Sequence, residues 1–546
     1  MPLRSLVTFT LVLGLLSGCS GPPSDVPESA KLSEDVLKVM PVGTDVTTNA
    51  GRIDGESLGS DLHVFRGIPF AAAPTGDARW RAPLAVEEWD GARDAKSFGA
   101  ICPQLPVLAT MMGVELPATS EDCLFLNVWT PANMTDEKLP VMVWIHGGGL
   151  SLGWSNQSGY DGAALARKGV ILVSVNYRLG PLGYLAHPNL TAESVNGGSG
   201  NYGFLDQIAA LEWVQGNITQ FGGDPSNVTI FGESAGGTSI VALQASPLTA
   251  GLFARAIAQS PWFQEANVLH QSEESRFAES AEARGRAWVN GIKRGATIAD
   301  LRALPVEQLI GPDIAAHSPH VTVDGHFMKR TVEAVFAEGE QQNVPTIIGT
   351  NRDEGTMFMG GLLADDQLQS GIRTVYKDAA AGVIAVYVDG EGVDVPAAAN
   401  QYLTDTMFLR STREFLGGMG KVSSPAYQYH FTRVNPANPA AGAHHAAEIG
   451  YVFNAGLGFG GGGAAQPFRV SIDTVKLSEE DRRLREAMIT YWTNFARTGN
   501  PNGEGLVEWP EYRADRAYLE LGDSIEAGTA LGAERLDRLT AAISSE

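Results

Sequence analysis

The chain has 546 residues, 44% of them hydrophobic and 18% charged, and 39 Lys and Arg against 62 Asp and Glu leave a formal net charge of −23. That apolar share excludes a disordered chain, the acidic balance argues against a nucleic-acid or anionic-membrane surface, and three cysteines are too few for a disulfide scaffold. Length alone allows roughly three domains, so the order of elements has to decide between several small cores and one large one.

The first element is an export signal. Arg4 precedes an apolar run from Leu6 to Leu16 that is too short to cross a bilayer as a helix, and Leu16-Ser17-Gly18 supplies the small residues a signal peptidase accepts in extended form. Cys19 follows directly, and this arrangement resembles the bacterial lipobox, whose cysteine becomes the lipidated first residue of the mature chain; the alternative is an ordinary signal peptide with a chance cysteine. The expected organisation is a signal peptide over 1–18, a lipid-anchored polar tether over 19–43 and one large folded domain over 44–546. The expected location is the periplasmic or outer side of a membrane reached only through Cys19, or free secretion without the lipid. No later stretch offers the ~18 uninterrupted apolar residues of a spanning helix.

Export also bears on the other two cysteines. In an oxidising compartment Cys102 and Cys123 read as one disulfide, with two unpaired buried thiols as the alternative. Closing a loop of that size contributes about 3 kcal/mol in the chain-entropy picture. No His or basic residue stands near either cysteine to make a thiolate nucleophile.

From residue 44 onward, strand-like runs alternate with helical windows. Leu124–Trp129, Val141–Ile145, Val170–Val175, Val228–Phe231, Val344–Ile348 and Tyr427–Phe431 are the strand candidates, several of them apolar on both faces. Gly203–Gln215 reads as a helix. So does the stretch after Ser478-Glu-Glu-Asp481, a capping box followed by Leu484, Met488, Tyr491, Trp492 and Phe495 on one face, with Gly499 to stop it. The pattern predicts one large α/β domain around a mostly parallel sheet, with helices on both faces.

Two segments match G-x-S-x-G, around Ser151 and Ser234. The chemistry needs a sharp strand-to-helix turn that lifts the serine oxygen above the sheet. Ser234 has a strand before it and a helix start after it, whereas Ser151 sits in a Gly-rich loop and is a decoy. A serine hydroxyl needs a base, an orienting acid and donors for the oxyanion. The donors are the backbone N–H groups of Gly148 and Gly149, in the His146-Gly-Gly-Gly149 turn, and of Ala235. Each is typically worth about 3 to 4 kcal/mol in the transition state.

Taken together, these stretches resemble the type-B carboxylesterases of the carboxylesterase/cholinesterase family, which have the α/β-hydrolase fold. The matching segments run from about 44 to 512. They include Phe65–Pro69, Arg79-Trp80, Glu121–Val128, His146–Gly149, Asn176–Gly180, Gly200–Gln207, Phe231–Gly237 and Trp492–Ala496. Cys102 and Cys123 fall where that family has its first disulfide. The resemblance implies a serine hydrolase of carboxylic esters with Ser234 as nucleophile. Glu354, in Gly349-Thr-Asn-Arg-Asp-Glu-Gly355, would be the acid, with Asp353 as the alternative. His445 would be the base, with His444 as the alternative. The order Ser234, Glu354, His445 is the α/β-hydrolase order. The His444-His445 pair lacks further ligands at metal spacing, and neither metal nor organic cofactor is expected.

The chain also departs from its look-alikes. The loop from Pro103 to Asp122 contains no Trp, Tyr or Phe, which argues against choline recognition there. Trp262 and Phe263, after a strand-like Ala256–Ala258, are candidate substrate-pocket residues or simply core. Gly456–Gly463 is a candidate gating loop. The family also has non-catalytic adhesion members, and the same triad supports lactone, thioester or amide hydrolysis. The expected partner is a small-molecule ester.

Overall fold

Runs that are apolar on both faces can settle only where helices cover both sides of a sheet. The computed structural model, which describes residues 39–263, 267–275, 278–311, 319–360, 364–388, 392–455 and 477–544, places them so. The signal peptide, Cys19, most of the tether and the Gly456–Gly463 loop lie outside the described residues.

One 11-stranded sheet dominates. Its strands are β1 (Glu56–Ser57), β2 (His63–Pro69), β3 (Phe125–Thr130), β4 (Leu139–Ile145), β5 (Ile171–Val175) and β6 (Gly223–Glu233). They continue with β7 (Arg255–Gln259), β8 (Thr346–Asn351), β9 (Ala426–Phe431), β10 (Ala517–Leu521) and β11 (Ile525–Thr529). The spatial order is β11-β10-β9-β8-β7-β6-β4-β5-β3-β2-β1. From β10 through β5 every pairing is parallel, and the two margins are antiparallel. This is the mostly parallel sheet that the sequence predicts, with antiparallel margins that it does not. Strand β6 begins well before the apolar run Val228–Phe231, because Gly223 pairs with Leu139 and the register then shifts; the intervening residues are polar and only partly covered, so they carry no strand signal.

Helices pack on both faces. Those that position the site are α1 (Tyr202–Asn217), α2 (Ala235–Ala245), α3 (Val395–Thr404), α4 (Arg410–Met419), α5 (Glu479–Thr498) and α6 (Ala533–Ser544). The predicted ends of α5 are present as hydrogen bonds. Ser478 Oγ accepts from Asp481 N–H at 3.1 Å, the Asp481 carboxylate accepts from Ser478 N–H at 3.1 Å, and Gly499 closes the helix at φ 79°. Its buried face packs Leu484, Met488, Trp492 and Phe495 into the core. A smaller apolar cluster joins α3 and α6 through Ala399, Tyr402, Leu409, Leu536 and Leu539.

One compact unit spans Met40–Glu546, with Val42 N–H bonded to the Asn133 carbonyl at 2.8 Å. Cys102 and Cys123 are joined as a disulfide. No described helix is long and apolar enough to cross a membrane.

Candidate active site

Strand β6 ends at Glu233 and α2 begins at Ala235, so Ser234 alone makes the turn. Its φ of 58° lies in the left-handed region, a conformation that costs a β-carbon-bearing residue about 1–3 kcal/mol and needs a surrounding structure to enforce it. The enforcement is visible. Ser234 N–H bonds the Gln259 carbonyl of β7 at 2.9 Å, and Thr238 N–H bonds the Ser234 carbonyl at 2.8 Å. Close approach of β4 completes it: a Cβ on Gly236 would lie 2.0 Å from the Ile145 carbonyl oxygen. Glycine is required there because strand and helix must almost touch.

The loop after β4 runs beside this elbow. A Cβ on Gly147 would meet the Ser234 Cβ at 3.0 Å and the Glu233 carbonyl at 2.7 Å. Gly148 and Gly149 take φ values of 113° and 62°. Gln104 ties the far end of the loop, accepting from Gly153 N–H at 2.7 Å and donating to the Gly153 carbonyl at 2.8 Å. His146 stacks on Tyr177 with ring centroids 4.5 Å apart, and its carbonyl accepts from the Tyr177 hydroxyl at 2.7 Å. Burial holds the His146 imidazole down at about 4, so this ring is neutral support. Ser151 closes a turn back onto Gly148 and stands on no strand-to-helix elbow.

Two further loops meet below. Asp353 and His444 form an isolated parallel bridge, and the Asp353 carboxylate accepts from Ala443 N–H at 2.8 Å and from Asn400 at 3.1 Å. Asp353 thus joins the loops, while the next residue turns inward. Glu354 Oε2 lies 2.6 Å from His445 Nδ1, and its Oε1 accepts from the Ser260 hydroxyl at 2.6 Å and Asn351 N–H at 2.7 Å. His444 is spent on its own backbone, Nδ1 lying 2.7 Å from the His445 carbonyl.

The other His445 nitrogen, Nε2, lies 3.1 Å from Glu233 Oε1, outside hydrogen-bonding geometry, and among the described residues it has no hydrogen-bond partner. Nδ1 is thus the hydrogen-bonded ring nitrogen, and Nε2 faces the Glu233 carboxylate at ion-pair distance. Glu448, also buried, accepts from Gln259 at 2.9 Å and Asn351 at 2.6 Å. Burial alone would lower the His445 pKa, but the Glu233 and Glu354 carboxylates outweigh it and raise the ring to about 9. For Glu233 burial is the largest influence and lifts it to about 8 against the attraction of His445; burial and then the Glu354 charge raise Glu448. Glu233 and Glu448 were not singled out from the sequence. Glu233 stands inside a segment quoted above, between Gly232 and Ser234, and Glu448 follows His445 by three residues, but only the folded chain brings their carboxylates to His445.

Aromatic rings complete the surroundings. Phe408 lies 4.8 Å from the His445 ring at 33°, and Phe358 stands at 5.2 Å and 61°. Neither carries a sequence signal, since each is one apolar residue in a helical or turn stretch. Of the two pocket candidates, Phe263 is packed in the core, edge-on to Phe415 at 5.0 Å. Trp262 is half-buried, its backbone held by Thr238 through paired 3.0 Å hydrogen bonds.

A model of the carboxylesterase family matches residues 43–538. The fumonisin B1 esterase of Sphingopyxis macrogoltabida is 36% identical over 510 residues, covering 89% of this chain and 87% of that protein. The para-nitrobenzyl esterase of Bacillus subtilis is 34% identical over 499 residues, covering 88% and 94%. A solved PNB esterase structure superposes with a TM-score of 0.77 at 32% identity, over 91% of this chain and 99% of that one.

Proposed function

The chain belongs to the carboxylesterase family and is a carboxylic-ester hydrolase; from that premise we propose that it works through an acyl-enzyme on Ser234. His445 takes the hydroxyl proton as Ser234 attacks the ester carbonyl. The N–H groups of Gly148, Gly149 and Ala235 hold the oxyanion, and Glu354 stabilises the imidazolium that forms. His445 then protonates the leaving alcohol, and water releases the acid by the same route. The observation that carries this reading is the 2.6 Å contact of Glu354 with His445 Nδ1, which leaves Nε2 unbonded beside the residue preceding Ser234. The strained φ of Ser234 supports it, since such strain survives where a site makes use of it.

Replacing Ser234 by Ala is expected to lower kcat by a factor on the order of 10⁶, because members of such a triad act as a unit. The measurement is p-nitrophenyl ester turnover together with covalent labelling by a serine-directed phosphonate. Near-normal turnover in the variant, or no adduct on Ser234 in the native enzyme, rejects the reading; the second result points instead to a binding module. We further propose export as a lipoprotein anchored at Cys19, supported by the signal-like run and the lipobox resemblance. Metabolic labelling with a fatty acid should mark the native chain and not Cys19→Ser; equal labelling of both refutes the anchor.

A further inference from the structure

Phe408 reaches His445 from a stretch of helix that is not wound as an α-helix. Between α3 and α4 the chain stays helical through Asp405–Leu409, but Arg410 N–H bonds back to the Asp405 carbonyl, five residues earlier. Such a wide turn is rare inside helices and gathers where function needs a side chain re-aimed. The residues around it divide into two groups. Asp405, fully buried, receives Arg535 Nη2 on Oδ1 at 3.0 Å and Arg535 Nε on Oδ2, with Tyr387 and Gln401 each donating at 3.1 Å. Leu409 packs with Leu536 and Leu539 of α6. These contacts tie the turn to the C-terminal helix.

The other group meets the site. Thr404 Oγ1 accepts from Gly355 N–H at 3.0 Å, next to Glu354, and a Cβ on Gly355 would lie 2.3 Å from the Asn400 carbonyl, so α3 sits directly on the acid turn. Phe408, four residues after Thr404, is buried on the His445 ring. Removing the extra residue of the turn would rotate one flank against the other by about 100°, and Thr404 and Phe408 would no longer meet Glu354 and His445 together.

We propose that the pairing of buried Asp405 with the partly exposed Arg535 is a positioning device for the reaction, holding the wide turn so that Phe408 lies on the His445 imidazole and Thr404 on the Glu354 turn. The proposal rests on the reading of His445 as general base. The Phe408 ring face helps to hold the imidazolium, and its contact also fixes the tilt of the ring as protons move. Glu233, Glu354 and Glu448 face the same imidazole, with His444 beside it, and the variants below leave all four unchanged.

The test uses the full-length chain with Asp405→Asn and Arg535→Gln combined, because losing Arg535 alone would leave the buried Asp405 charge uncompensated. The pair is removed at constant net charge, so any change at His445 reports on placement and not on a new field. Steady-state kinetics on a p-nitrophenyl ester across pH should show kcat reduced about ten-fold with KM little changed. The acid limb of kcat/KM should move down by about half a pH unit as the ring contact is lost. Phe408→Leu alone should reproduce both effects, and adding it to the pair variant should cost little more, since both break one linkage. A folded pair variant with native kcat and an unmoved limb overturns the proposal, as does full additivity with Phe408→Leu. If the pair variant fails to fold, Arg535→Lys keeps the charge but loses the two-pronged contact; the same kcat loss and limb shift support the proposal, and an unmoved limb rejects it. Phosphonate labelling of Ser234 separates the two levels. If labelling is absent from the native enzyme, the acyl-enzyme reading falls; if labelling is normal and the limb does not move, only the positioning role falls.

Discussion

At the residue scale, the site gathers three buried carboxylates around one imidazole, and the chemistry depends on which of them shares its charge with the ring. Glu354 holds Nδ1, Glu448 is neutralised in part by two amide donors, and Glu233 stands against Nε2. If His445 is the general base proposed above, it must be unprotonated to act, so its raised pKa places the acid limb of kcat/KM above the ordinary histidine value of 6.5. Replacing Glu233 by Gln removes a raising influence, and the limb should move down by about one unit or more. A pH–rate profile on a p-nitrophenyl ester reads this directly; a limb that stays in place would show that Glu233 does not act on the ring.

At the scale of elements, the loop proposed to hold the oxyanion is a backbone device held by a side chain from elsewhere. Gln104 bonds both the N–H and the carbonyl of Gly153, and a third bond to the Cys102 carbonyl at 3.1 Å ties it to the disulfide. Gln104→Ala would leave a buried N–H without a partner, at a cost of about 1–3 kcal/mol. Its functional effect should be larger in kcat than in KM, because a loosened loop still admits substrate but meets the developing oxyanion less well. We expect kcat to fall about ten-fold, somewhat less than for deletion of a donor itself. Urea unfolding and steady-state kinetics on the same sample separate the two effects; a stability loss with native kcat would leave Gln104 purely structural.

At the scale of the whole molecule, one sheet carries Ser234 just after β6, Glu354 just after β8 with β7 between them, and His445 in the stretch that follows β9, and the disulfide closes the loop that contains Gln104. Removing the bridge by Cys102→Ser with Cys123→Ser should cost about 3 kcal/mol, read as a lower urea midpoint, or as the same shift on reducing the native protein. An unchanged midpoint would mean that the native packing around Ile101 and Cys123 already restrains that loop.

The sequence by itself determined the class of fold, the ends of several elements and the family, because these depend on local patterns. Apolar runs mark buried strands, the Ser478 and Gly499 caps mark a helix, and Gly232, Ser234 and Gly236 record a turn that only small neighbours permit. Glu354 and His445 were legible only through resemblance, since their meeting depends on loops that lie far apart along the chain. Tertiary structure alone decided the rest. It turned Asp353 outward to join two loops, closed His444 on its own backbone, buried Phe263 in the core and brought Glu233, Glu448, Phe358 and Phe408 around the imidazole. None of these residues is distinguished by its type, in a chain with 10 His, 21 Phe and 62 Asp and Glu. What distinguishes them is the position that the parallel strands and one wide helical turn give them, and position in space is a property of the packed molecule, which no local pattern encodes.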